Sequence, residues 1–179
     1  MGKITKKKKI VGTAIFSALA FVISLLEFSI FPQVEFLKLD FANVFTLLGG
    51  FIYGPISAVV ISLVKELLCL LKSSSGGVGE LANFILTVSF VIVPTTVYRY
   101  RKGFKIVVIT LLIGCLLQTA MSLLTNRFVL LPFYMGNGAT SFFESVWYFI
   151  LLFNVIKAVT ISLLTIVLYK RTKAFIEKI

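Results

Sequence analysis

Long apolar runs, broken by short polar or glycine-rich stretches, set the pattern of this chain. The first run covers residues 10–31 and ends at Pro32. The stretch FANVFTLLGGFIYGP forms a short second run closed by Gly54 and Pro55, a strong turn signal. Further runs cover residues 56–71, 81–97, 106–124 and 146–168. A run of about 20 apolar residues is long enough to cross a bilayer as a helix. The pattern therefore predicts an all-α membrane protein of six transmembrane helices. A four-span arrangement, with residues 41–71 dipping in and out of one face, is the alternative, because the second run is short and glycine-rich.

The breaks differ in character. PQVEFLKLD mixes Glu35, Lys38 and Asp40 with Phe36, Leu37 and Leu39, a loop with apolar teeth. SSSGGVGE is a flexible polar loop, YRYRKGFK a basic one, and residues 126–145 a longer, partly apolar connection. The net charge of +11 is concentrated at the ends of the runs. With six spans and both termini cytoplasmic, thirteen basic residues fall on the cytoplasmic side and Lys38, Lys72 and Arg127 outside. That is a firm positive-inside bias, and it separates membrane topology from nucleic-acid binding as the meaning of the charge.

Composition narrows the options further. The chain is 59% hydrophobic and 14% charged over 179 residues, so residues 1–179 are expected to form a single integral-membrane domain with no room for a soluble catalytic one. With no histidine, imidazole metal sites and histidine bases are excluded. Cys69 and Cys115 lie inside apolar runs and read as small core residues. No GxxxxGK[ST], HExxH or CxxC pattern occurs, so any transport by this chain is passive or powered by a partner.

Asn154 and Lys157 stand out. They interrupt WYFILLFNVIKAVTISLLTIVLYK, with Lys157 thirteen residues from the next basic residue, Lys170. A charge so deep needs a partner or a polar cavity. Three residues apart, the two share one helix face. Glu80 and Asn83 share a face at the outer start of the fourth span, and Asn126 and Arg127 end the fifth. All point to the outer half of the bundle, where they can converge on one pocket. Amides with one ammonium and one carboxylate suit a neutral polar heterocycle better than an inorganic ion. Glu80 and Asn83 could instead simply cap a helix. Lys65 and Glu66 are also intramembrane; being adjacent they point in different directions, so separate structural partners and no substrate role are expected. On the first span Ala14 and Ala18, with Gly12 and Ala20 nearby, have spacing that lets another helix approach closely, from within the bundle or outside it.

These blocks together resemble a known family. The basic N-terminus before Ala14 and Ala18, FLKLDFANVFTLLGGFIYGP, SSSGGVGELANF, NRFVLLPFY and NVIK are similar to the riboflavin-binding S components of energy-coupling factor (ECF) vitamin transporters, over nearly the whole chain. The resemblance implies a six-helix fold in the bacterial cell membrane with the vitamin near the outer surface. It implies hydrogen bonds to the isoalloxazine ring from Glu80, Asn126, Asn154 and Lys157, and pocket closure by the loop around Leu39 and Asp40. It also implies that the Ala14–Ala18 face docks on a transmembrane T subunit carrying two ATPase subunits. Riboflavin would be cargo, with ATP hydrolysed by the partners, so neither a cofactor nor a metal is expected and the chain is not an enzyme. An S component for another vitamin, or a self-contained facilitator of a small polar solute, would share most of these features.

Overall fold

The computed structural model describes residues 5–73 and 76–176, with the backbone alone for 172–176. Lys3 and Lys178 of the basic ends, and Ser74 and Ser75 of the polar loop, lie outside the described residues. The described chain is almost entirely helical. Helix α1 is Lys6–Ser24, α2 Ala42–Tyr53, α3 Pro55–Cys69, α4 Val78–Tyr100 and α5 Phe104–Thr125; a short α6, Leu131–Met135, precedes the long α7, Ala139–Ile176. Two helical stretches among the described residues are long and apolar enough to cross a membrane, Val78–Tyr100 and Phe104–Arg171.

Glycine and proline punctuate the bundle as expected. Gly54 adopts φ 96°, a conformation open to glycine, and Pro55 starts α3 at a position where its missing N–H costs nothing. Helix α2 is the hub, packed by α1, α3, α4 and α7. At 12 residues it is about 18 Å long, well short of the ~30 Å apolar core of a bilayer. The missing length at its amino end leaves room for a cavity.

Close contacts orient the helices. Gly12 of α1 lies against the Tyr53 ring at the end of α2, where any Cβ would collide. Tyr98 of α4 and Tyr169 of α7, both buried, share a hydroxyl hydrogen bond of 3.1 Å beside the Phe51 ring. One end of the bundle thus gathers the start of α1, the Gly54 turn and the ends of α4 and α7, with Arg99, Arg101, Lys102, Lys105 and Lys170. Helices α4 and α5 meet at another close point. Pro94 cannot donate to the Phe90 carbonyl four residues back, and Gly114 of α5 sits against that freed oxygen.

The first helix is shorter than its apolar run. It ends at Ser24 rather than at Pro32, and Phe28–Ser29 (β1) pairs antiparallel with Lys38–Leu39 (β2). Beyond the end of α1 the Glu27 carboxylate takes Lys38 at 3.0 Å and Lys72 at 3.4 Å. The loop's apolar teeth are real: Val34, Leu37 and Leu39 are buried against Val146, Ile150 and Phe153 of α7. A second core at the basic end joins α2, α4, α5 and α7 through Leu47, Phe51, Phe90, Val91, Leu111 and Ile161.

The small-residue face of α1 divides in two. Gly12 and Ala20 point into the bundle with Thr13 and Ser17, whereas Ala14 and Ala18 are exposed. Packing within the chain therefore does not account for Ala14 and Ala18.

Candidate functional site

At the end of the bundle opposite Arg99, Lys105 and Lys170 lies a cavity of about 440 Å³. The 25–41 loop, the amino end of α2, the carboxyl ends of α3 and α5, the start of α4, α6 and the middle of α7 enclose it. Because α2 starts deep, Asp40 and Asn43 reach the level of residues well inside α4, α5 and α7. Thr87 of α4 donates to Asn43 Oδ1 at 3.1 Å, which fixes that depth.

The buried charge of Lys157 is answered across the cavity. Its Nζ donates to Asp40 Oδ2 at 2.8 Å and to the Lys38 carbonyl at 3.3 Å. Two of the three ammonium N–H groups are thereby used, leaving one for a ligand. Asp40 spends its other oxygen on the Ala42 amide, 2.9 Å away, at the start of α2. Burial by itself would raise the Asp40 carboxyl, but Lys157, Lys65 and the two hydrogen bonds outweigh it and hold the group below the ordinary carboxylate range. One ion pair therefore ties the loop, the start of α2 and the centre of α7 together.

The amides on the wall are oriented. Asn126 donates its amide nitrogen to the Ser122 carbonyl at 2.8 Å, and Asn154 does the same to Ile150 at 2.9 Å. Each amide nitrogen is pinned to its own helix one turn back, so the side-chain carbonyl is the free end. Asn126 Oδ1 and Asn154 Oδ1 have no hydrogen-bond partner, and neither does Gln118 Oε1 on the same wall. Five buried side-chain oxygens are unpartnered among the described residues, and three of them belong to residues on this wall. Carboxamides on these three wall residues give the cavity groups that can both donate and accept hydrogen bonds. Phe36, Tyr134 and Phe153 add aromatic surface.

Of the residues singled out in the sequence, Asp40, Glu80, Asn83, Asn126, Asn154 and Lys157 all border this cavity, with Asn83 on the exposed rim. Leu39 is not on the wall; it packs with Val34 and Leu37 against α7. Arg127 is not on the wall; it lies over the Phe128 and Phe143 rings. Lys65 and Glu66 differ from expectation. They pair with each other, because two flexible side chains can fold toward one another from adjacent positions, and both stand on the cavity wall. Both cysteines are free, Cys69 beside Ser24 and Cys115 beside Ser162.

The substrate-specific component of ECF transporters matches as a family over residues 8–169. The chain belongs to this family. It is thus a membrane transport component and not an enzyme. It is 32% identical over 179 residues to the riboflavin transporter RibU of Staphylococcus aureus, a match covering 97% of this chain and 95% of that one. It is 28% identical to the riboflavin transporter FmnP of Bacillus subtilis, covering 97% and 96%. A solved S component of a bacterial ECF transporter superposes with a TM-score of 0.83 at 34% identity, covering 96% of this chain and 98% of that one.

Several wall residues of this S component were not picked out from the sequence as site residues: Asn43, Thr87 and Gln118, besides Lys65 and Glu66. Gln118 carried a usable signal, an amide inside an otherwise apolar run. Asn43 and Thr87 carried none, because an isolated Asn or Thr near a helix end or on a helix face is ordinary.

Proposed function

We propose that this chain is the riboflavin-binding subunit of an ECF importer, taking the vitamin from the outer side of the cell membrane. The Lys157 ammonium, with one N–H unspent, and the carboxamides of Asn126, Asn154 and Gln118 on the cavity wall carry the reading. They suit a neutral molecule that both donates and accepts hydrogen bonds. Riboflavin offers its imide N–H and the ribityl hydroxyls, and its ring carbonyls can accept from the free Lys157 N–H. The wall charges balance by sign, Lys38, Lys65, Lys72 and Lys157 against Glu27, Asp40, Glu66 and Glu80, which suits uncharged cargo. The names of the relatives agree with this choice.

In this reading residues 1–179 form one multi-pass domain. Helices α1 to α5 and α7 cross the membrane, the short α2 starting within it, and both termini lie in the cytoplasm with the basic end of the bundle. Exposed Ala14 and Ala18 form the contact to a transmembrane T subunit, which carries two ATPase subunits. Lys157, Asn126, Asn154 and Glu80 bind the cargo, Asn83 borders the entrance, and the Asp40–Lys157 pair holds the loop, with Leu39 anchoring it from behind.

Purified protein titrated with riboflavin, FMN, thiamine and biotin, with flavin absorbance of the purified sample read first, tests the assignment. Tight riboflavin binding or a copurified flavin is expected. Tight binding of thiamine or biotin with none of riboflavin would overturn it. Riboflavin uptake by vesicles holding this chain alone would favour a self-contained facilitator.

A further inference from the structure

We infer that Tyr134 stacks on one face of the cargo ring and quenches the bound flavin by electron transfer. The inference deepens the riboflavin reading and rests on it. A flat tricyclic ring meets polar groups with its edge and apolar groups with its two faces. The polar wall groups Glu80, Asn126, Asn154 and Lys157 come from α4, the end of α5 and α7. Apolar wall is concentrated in one stretch, where Leu130, Leu131, Tyr134 and Met135 all border the cavity. A π turn over Asn126–Leu130 leads into α6, and Pro132 lacks the N–H that would continue the ladder there. Gly136, at φ 53°, closes α6 after only five residues. This short helix is anchored at its start and open at its end. Leu131 is 2% exposed, in one core with Ile150 and Phe153 of α7, whereas Tyr134 is 47% exposed and also on the cavity wall. The π turn packs on α4 and α6 packs on α7, so the stretch lies between the helices that carry Glu80 and Lys157.

Three aromatic residues line the cavity, and one of them differs in chemistry. Phe36 and Phe153 carry phenyl rings, and Tyr134 is the one phenol among the described wall residues. The other five tyrosines and Trp147 are not on the wall. A phenol in contact with a photoexcited flavin gives it one electron; a phenyl ring, harder to oxidise, does not. The flavin radical anion and the tyrosine radical cation then recombine. The electron returns to Tyr134, no atom or proton is exchanged, and the emission is lost. Such transfer falls off steeply with distance, so the darkness of the bound flavin reports contact with this side chain.

The test compares the full-length protein with Tyr134→Phe, Tyr134→Trp and Tyr134→Leu. Riboflavin binding is measured by titration calorimetry, and the fluorescence decay of the bound flavin is then recorded. The wild-type complex is expected to be dark, with a decay far shorter than that of free riboflavin. Tyr134→Phe, which keeps the ring, should bind and emit; Tyr134→Trp, whose indole also donates, should stay dark. Tyr134→Leu should emit too, and should bind about 2- to 12-fold more weakly for want of a ring to stack. Trp147→Phe and Tyr148→Phe, altered off the wall, should leave the complex dark. Emission from the wild-type complex, or a Tyr134→Phe complex as dark as wild type, would overturn the proposal. Tyr134→Leu supplies the same readout should Tyr134→Phe not purify as a monodisperse protein. Wild-type protein that binds no riboflavin by calorimetry would refute the riboflavin reading itself, a result separate from a wild-type complex that forms and emits.

Discussion

Replacing Lys157 by methionine should loosen the 25–41 loop without detaching it. The Lys157 and Asp40 side chains are 9% and 8% exposed, so the substitution leaves a buried carboxylate without its main counter-charge. Removing one partner of a buried ion pair costs roughly 3–5 kcal/mol. Here the Ala42 amide still donates to Asp40, and the cavity admits water, so about 2–3 kcal/mol is the expected loss. Against it stand Val34, Leu37 and Leu39, each contributing roughly 1.5–3 kcal/mol by burial on α7. The loop therefore stays docked but opens about 30- to 150-fold more often. Hydrogen exchange of the amides from 28 to 41, followed by mass spectrometry on detergent-solubilised protein, reads that opening directly. The double variant Asp40→Asn with Lys157→Met should regain protection, because the asparagine keeps its bond to the Ala42 amide without a stranded charge. It should not regain flavin affinity, since the Lys157 donor is gone. Unchanged exchange in Lys157→Met, or a double variant that opens as readily as the single one, would refute this account of the ion pair.

Other outcomes follow from the same contacts. The Asp40 carboxyl is depressed below its ordinary value near 3.8, so its stabilising contribution is complete above that pH and is lost only as pH falls through the lower folded value. Loop protection, corrected for intrinsic exchange rate, should therefore be equal at pH 5 and pH 8. Gly114→Ala should destabilise the bundle by about 1–3 kcal/mol, because its Cβ meets the Phe90 carbonyl oxygen, which is backbone and cannot swing aside; thermal unfolding in detergent checks it. Ala14→Leu with Ala18→Leu should leave unfolding and flavin affinity of the isolated chain unchanged, since both positions are exposed, yet abolish ATP-driven uptake when the T and ATPase subunits are present.

The apolar runs determined most of the helices, because a segment that must satisfy its backbone inside lipid has few alternatives to a helix. Gly54 and Pro55 marked the turn between α2 and α3, and Asn154 with Lys157 announced a polar cavity, since neither can sit against hydrocarbon alone. The end of α1 was not legible. Residues 25–31 are apolar enough to continue the helix, and the chain leaves it where Phe28–Ser29 pairs with Lys38–Leu39 and Val34, Leu37 and Leu39 bury against α7, contacts that local sequence does not specify. The same limit applied to Lys65 and Glu66, whose mutual pairing depends on side-chain torsions that helix periodicity does not specify. Likewise the two faces of α1 looked alike in sequence, and only packing against Tyr53 separated buried Gly12 from exposed Ala14 and Ala18. Lys157 needed a partner on electrostatic grounds alone. That the partner is Asp40, 117 residues away, was decided by the shortness of α2, which lets the loop descend to meet it.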